Sequence, residues 1–340
     1  MKKILVISSG TMEQSKKWVR EKILKQSKDG KGVWGDYYFS CEKSDGPFDG
    51  VAKIGRISSD WDIHCNPKNI VAVHMEPYLG ATYWHNWMIS GNEECSHIIS
   101  SYMGDKNGDK QIIGHALLPW YLEKNYAELT TMDIPDKLEQ NKLSWITSNQ
   151  MGLPYHRHRM YFKSYVDKYH PELFDISGRG IKSIDSKWVA MAPYKYVLAI
   201  ENVYEPHIWS EKLADPFLAY SLPFFSGCPN ILEYFPEDSF VPIDIKNPEE
   251  TLEIIKKTIQ DKQWEKSLPA IKEARRLVLE QYQFVPYMCK FYDDNYTEGA
   301  YEHITINQHK PSFGVWLQER AGSRIRSVYK KYIKLKCKLV

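Results

Sequence analysis

A chain of 340 residues with 43% hydrophobic, 26% charged and 14% aromatic residues lies within the range of globular proteins and is long enough for two domains. Disordered, collagen-like and disulfide-knot classes are excluded. The net charge of +2 hides an asymmetry: Arg320 to Val340 hold 8 basic side chains and no acidic one, so the preceding 319 residues carry 37 basic against 43 acidic.

The start, Met1-Lys2-Lys3 then Ile4 to Ile7, has the basic opening of a signal peptide, but the apolar run ends at Ser8-Ser9-Gly10, so it is predicted as a buried first strand. A helical span follows at Glu13–Gln26, then β-rich runs at Tyr37–Phe39, Val51–Ile54, Ile70–His74 and Ile98–Tyr102. Short continuous apolar runs between helical spans predict parallel strands buried on both faces. The polar stretch Thr130–Asn141, with Pro135 inside it, marks a domain boundary. Beyond it the alternation resumes. Strands are predicted at Leu143–Thr147, Leu173–Ile176, Tyr196–Ile200 and Leu222–Phe225, and helices at Arg157–Tyr169, Ser210–Tyr220, Pro248–Gln260 and Leu268–Gln281. The expected architecture is α/β, with two Rossmann-like parallel-sheet domains over residues 1–140 and 141–310 facing across a cleft. Ligands would bind at the carboxyl ends of the strands.

Residues 311–340 are expected to form a basic amphipathic helix. Ile325, Val328, Tyr329, Tyr332, Leu335 and Leu339 fall near helical spacing among Arg324, Arg326, Lys330, Lys331, Lys334 and Lys338. Such a helix suits an anionic membrane surface better than nucleic acid, for which no recognised fold accompanies the charge. No run approaches the roughly 20 apolar residues that span a bilayer, so the expected membrane contact is peripheral. The six cysteines lack metal-ligand spacing and a CxxC pair, which points to a reducing cytoplasm. Neither GxGxxG nor GxxxxGK[ST] occurs. Asp60-Trp61-Asp62 and Asp293-Asp294 are read as solvated turns rather than metal ligands, and His64, His74, His85 and His97 as core or polar histidines.

Chemistry concentrates between Tyr194 and Asp244. The strand ending at Ile200 delivers Glu201 and Asn202, and Ser210 then caps a helix beginning Glu211-Lys212. A capping serine, helix N–H groups and a lysine can act together on one anion, so a nucleoside diphosphate fits here. Glu211 is placed to accept from ribose hydroxyls, with Asn202 facing it.

This stretch resembles the donor-binding signature of the α-1,3/4-fucosyltransferases, glycosyltransferase family 10. Four blocks carry the resemblance in order: Tyr194-Lys195-Tyr196 through Glu201-Asn202; Ile208-Trp209-Ser210-Glu211-Lys212; Leu222-Pro223-Phe224-Phe225; and Pro236-Glu237-Asp238-Ser239-Phe240. Upstream, Ser148-Asn149 resembles the family's strand end, Arg157 stands in register with its pyrophosphate-binding arginine with Arg159 close behind, and Gly178 and Gly180 resemble its glycine turn. In Met75-Glu76-Pro77, Glu76 stands where the family has its general base. The resemblance implies a GT-B enzyme that needs no metal or other cofactor and inverts the anomeric centre. It would transfer L-fucose from GDP-fucose to a cell-surface glycan of the lipopolysaccharide, O-antigen or capsule type.

In that reading Arg157, Arg159 and Lys212 hold the diphosphate, Glu211 the ribose, and Glu201, Asn202 and Ser210 the rest of the donor pocket. Tyr78 and Trp84 would face the acceptor. The implied location is the cytoplasmic face of the inner membrane, reached through residues 320–340. Ile208 stands in place of a donor-contacting tyrosine, and Phe225-Ser226 in place of a tryptophan. Another GDP-linked deoxyhexose or heptose therefore stays open as donor, as does a non-catalytic nucleotide- or carbohydrate-binding protein.

Overall fold

The computed structural model describes residues 1–77, 92–102, 108–139, 142–152 and 154–308. Two compact units emerge. The first comprises residues 1–119, 125–127 and the described residues from Tyr282; the second comprises residues 120–124 and 128–281.

In the first unit, β1 (Lys2–Ile7), β2 (Val33–Trp34), β3 (Tyr37–Ser40), β4 (Gly50–Ile54), β6 (Ile70–Val73), β7 (His97–Ser100) and β8 (Gln111–Ile113) form one sheet in the order β2-β3-β1-β4-β6-β7-β8. All its pairings are parallel except the β2–β3 hairpin. The apolar runs are continuous because both sheet faces are covered. Ile4 and Val6 pack on one side, with Phe39, Ala52 and Val71, and Leu5 and Ile7 on the other, with Val51, Ile70 and Ala72.

The first helical span begins at Met12, where Thr11 and Gln14 form a capping box, and continues as π and 3-10 turns to Gln26. The helix Phe284–Asn295 supplies Phe284, Val285, Met288, Cys289, Phe291 and Tyr292 to the same core as Ile4 and Phe39. The sequence division at 141–310 is corrected accordingly: this helix's apolar face is buried in the first unit, and the chain from Tyr282 belongs there.

A further strand, β5 (Trp61–Cys65), pairs antiparallel with β14 (Glu302–Ile306). The acidic groups read as solvated turns are thereby placed in and beside structure. Asp62 accepts from the Thr305 hydroxyl at 2.6 Å, Asp60 from the Gln308 N–H at 2.7 Å, and Asp293 from the Tyr37 hydroxyl at 2.6 Å.

The second unit holds a five-stranded, wholly parallel sheet ordered β10-β9-β11-β12-β13, from β9 (Leu143–Ile146), β10 (Phe174–Ser177), β11 (Tyr196–Ile200), β12 (Leu222–Ser226) and β13 (Val241–Pro242). Leu143, Trp145, Tyr196, Leu198, Leu222 and Phe224 pack against the helices Pro154–Tyr169, Pro248–Gln260 and Gln263–Leu277 through Phe162, Val166, Leu252, Ile255 and Ile271. From β9 the chain moves outward to β10, then returns to β11 on β9's other side. Strand order therefore reverses between β9 and β11, and at that switch point the connecting loops diverge and leave a crevice at the carboxyl ends.

Candidate nucleotide pocket of the second unit

The crevice at this switch point is a pocket of about 560 Å³. Its wall includes Thr147 and Ser148 beyond β9, Gly178 and Arg179 beyond β10, and Asn202 beyond β11. His156 and Arg159 of the helix Pro154–Tyr169 line it as well, as do Lys187, Glu211 and Lys212. Close strand-end packing depends on Gly178. Its φ is +121°, and a Cβ there would lie 1.9 Å from the Thr147 carbonyl oxygen.

The helix Glu211–Leu218 is set by Ser210, whose hydroxyl accepts from the Lys212 N–H at 3.3 Å. That hydroxyl donates to the Glu201 carboxylate, 2.7 Å from Oε1, and the Ser210 N–H donates to the same oxygen at 2.7 Å. Lys212 Nζ lies 3.4 Å from Glu201 Oε2, 3.2 Å from Glu211 Oε1 and 3.0 Å from Ser210 Oγ. Glu201 is 2% exposed. Burial pushes its pKa up, with the Lys212 charge opposing. Burial works against the Lys212 ammonium, but the Glu201 and Glu211 carboxylates outweigh it and hold the lysine charged. Gly227 leaves the room that Glu201 needs, since a Cβ there would approach Glu201 Cγ to 2.5 Å.

Arg159 differs from the lysines. It is 3% exposed, and its Nη1 donates to Asn202 Oδ1 at 2.8 Å while Nη2 donates to the Ser148 carbonyl at 3.3 Å. Among the described residues its buried Nε has no hydrogen-bond partner, and no carboxylate forms an ion pair with it. Burial pulls its pKa down to about 10, partly opposed by Glu201, so the guanidinium keeps its charge at neutral pH.

Of the residues singled out in the sequence, Arg159, Asn202, Glu211 and Lys212 meet in this wall. Glu201 and Ser210 lie beneath it, holding Lys212. Arg157 is partly exposed and is not among the lining side chains. Ile208 and Trp209 are buried, the latter edge-on to Phe235 with ring centroids 4.9 Å apart. Glu76 follows β6 in the first unit and is exposed, whereas Tyr78, Trp84 and residues 320–340 lie outside the described residues.

Sequence reasoning missed Lys187, Asp215 and Tyr121. Lys187 Nζ stands 3.0 Å from Oδ2 of the fully buried Asp215, whose Oδ1 accepts from the Tyr121 N–H at 2.9 Å. Only the helix spacing of Glu211 and Asp215 hinted that a second carboxylate backs the pocket.

With this geometry in place, the solved structures give a fold-level match. One is an α1,3-fucosyltransferase with GDP-fucose: TM-score 0.50, 17% identity, covering 89% of this chain and 92% of that one. This is the GT-B fold. A second α1,3-fucosyltransferase structure matches at TM-score 0.48 and 15% identity, over 84% of this chain and 92% of that one. A glycosyltransferase from Rickettsia africae matches at TM-score 0.47 and 9% identity, over 88% of this chain and 100% of that one. No family model matches the sequence, and no curated protein does. Among the described residues of this GT-B chain, no helix is long and apolar enough to cross a membrane, and no group of three or more His, Cys, Asp or Glu side chains is arranged to hold a metal.

Proposed function

We propose that this chain is an inverting glycosyltransferase that binds a GDP-sugar, GDP-fucose in the first instance, in the pocket of the second unit. The observation that carries the reading is Arg159: a buried guanidinium with no carboxylate ion pair among the described residues, at a parallel-sheet switch point, in a wall that also holds the cationic side chains Arg179, Lys187 and Lys212. A buried charge only partly offset, here by Glu201, is costly, and a bound diphosphate would supply further negative charge with bidentate geometry. The four sequence blocks around Glu201 and Lys212, and the GDP-fucose bound by the structural neighbour, support GDP over other nucleotides.

In the proposed reaction, Glu76 takes the proton from an acceptor hydroxyl. The hydroxyl oxygen bonds to the anomeric carbon as the bond from that carbon to the β-phosphate oxygen breaks, and GDP leaves with the electron pair. Arg159 and Lys212 counter the charge growing on the departing diphosphate, and Glu211 holds the ribose. A single displacement inverts the centre, so a β-linked GDP-fucose yields an α-fucoside. The acceptor is proposed to be a cell-surface glycan of the lipopolysaccharide, O-antigen or capsule type.

Calorimetry with GDP-fucose, GDP-mannose, UDP-sugars and CMP-sugars tests the donor: binding confined to GDP compounds is expected, and binding of UDP or CMP compounds alone would sink the reading. Glu76→Gln should keep donor affinity and lose about 100-fold or more in turnover. Full turnover in that variant would remove Glu76 from the base role.

A further inference from the structure

Lys187 is held more elaborately than a lysine on a pocket wall requires. Asp215, 0% exposed on the inner side of the helix Glu211–Leu218, directs Oδ2 to Lys187 Nζ at 3.0 Å and uses Oδ1 for the Tyr121 N–H at 2.9 Å. The Tyr121 ring lies 5.3 Å from the same ammonium. The backbone beneath is fixed as well: the Glu123 carboxylate accepts from the N–H groups of Lys187 and Trp188, each at 3.0 Å, and from the Ser186 hydroxyl at 2.8 Å. Residues 121–123 thus clamp both the lysine's counter-ion and its main chain.

An ion pair that buries one partner completely contributes little net stability, because desolvation of the carboxylate offsets most of the attraction; an apolar residue in place of Asp215 would serve a core at least as well. The pair is better explained by where it puts the charge. Lys187 is partly exposed, its ammonium has donors beyond the one taken by Asp215, and it lines the same pocket as Arg159 and Lys212. Burial opposes its charge, but Asp215 and Glu211 overcome that and keep it protonated.

We propose that Lys187 is a phosphate-binding ammonium of this pocket, with Asp215 as its positioning residue, and that this extra cation selects ligands bearing a diphosphate. The proposal rests on the nucleotide reading above and adds a residue and a selectivity to it. Lys212 is shared between two carboxylates and Arg159 is fixed by Asn202 and Ser148, whereas Arg179 is exposed, so Lys187 supplies a further positioned cationic contact that a nucleoside without phosphates cannot use.

The test is calorimetry on the full chain with GDP, GMP and guanosine, with UDP and uridine run in parallel. Lys187→Gln should weaken GDP binding by about 10- to 100-fold, as expected for one lost charge-assisted hydrogen bond, while guanosine affinity changes less than about twofold. Lys187→Arg should restore most of the loss. Asp215→Asn should weaken GDP severalfold, and adding it to Lys187→Gln should cost nothing further, because the aspartate acts only through the lysine.

Arg159→Met is the control that separates the two ideas. If it abolishes GDP binding while Lys187→Gln binds GDP like the parent, the pair is structural and this proposal falls alone. If the unmodified chain binds neither GDP nor UDP, both fall. Should Lys187→Gln not fold, the GDP-to-guanosine ratio of Asp215→Asn decides: an unchanged ratio overturns the proposal.

Discussion

A buried ionisable side chain reveals its purpose by how its charge is treated. Glu201 and Asp215 are each paired with a lysine, Arg159 has no carboxylate ion pair among the described residues, and His74 in the first unit follows a third course. Burial, with help from the Lys53 charge, lowers the His74 pKa from 6.5 to about 4, and Asn92 Nδ2 lies 3.3 Å from its Nε2. That contact suits a neutral ring accepting at Nε2. A folded-state pKa below the unfolded value means that stability is present above pH 6.5 and is lost as pH falls through 4. The imidazole should therefore remove about 2 to 3 kcal/mol of stability between pH 7 and pH 4.5. His74→Gln, which does not titrate there, should flatten that limb in urea denaturation; an equally steep acid loss in the variant would refute the account. Some of the pocket was legible in sequence because it is local: Ser210, Glu211 and Lys212 are adjacent, and Asn202 follows a recognisable strand by two residues. Lys187 and Asp215 were not, since they lie 28 residues apart and only the fold makes them partners.

Among the elements, the buried parallel strands were legible nearly residue for residue, because an apolar run with both faces covered leaves a continuous signature. Helix Pro248–Gln260 was legible end to end, with Pro248 in its first turn and an apolar face at Leu252, Ile255 and Ile259. The β5–β14 pair was not: its strands are separated by more than 200 residues, and the alternation of Trp61, Ile63 and Cys65 marks a strand without saying what it pairs with. Helix Phe284–Asn295 was invisible as part of the first unit for a similar reason, since its apolar face says that it packs but not against what. The glycine turn after β10 was legible as backbone geometry, and it gives a prediction. The turn is sewn to β9 by the Thr147 N–H on the Ser177 carbonyl at 2.8 Å and the Asn149 N–H on the Arg179 carbonyl at 3.2 Å. Gly178→Ala must escape both a φ of +121° and a backbone oxygen at 1.9 Å, so it should cost about 3 kcal/mol or more and part the ends of β9 and β10. Urea unfolding that matched the parent, with nucleotide binding intact, would contradict the packing described.

For the whole molecule, the charge division decides the last prediction. With its final 21 residues the chain stands at +2; without them it stands at −6. An acidic body is repelled by an anionic bilayer, whereas eight basic residues interspersed with Ile325, Tyr329, Tyr332 and Leu339 are attracted by about 1 kcal/mol per cation near the surface. The attraction is screened over about 8 Å at physiological salt, so it acts on the tail and hardly on the body. The membrane contact expected from the sequence should therefore be separable from the proposed chemistry. The full chain should sediment with phosphatidylglycerol vesicles, release as salt is raised, and ignore phosphatidylcholine vesicles. Removing residues 320–340 should abolish sedimentation and leave GDP affinity within about twofold, because the described residues of the pocket wall all lie between Tyr121 and Lys212. If the truncated chain still bound phosphatidylglycerol, the surface that meets the membrane would have to be sought in the acidic body, against its net charge. If truncation removed nucleotide affinity instead, the tail would belong to the donor site, and the division into a catalytic body and a membrane-seeking end would be wrong.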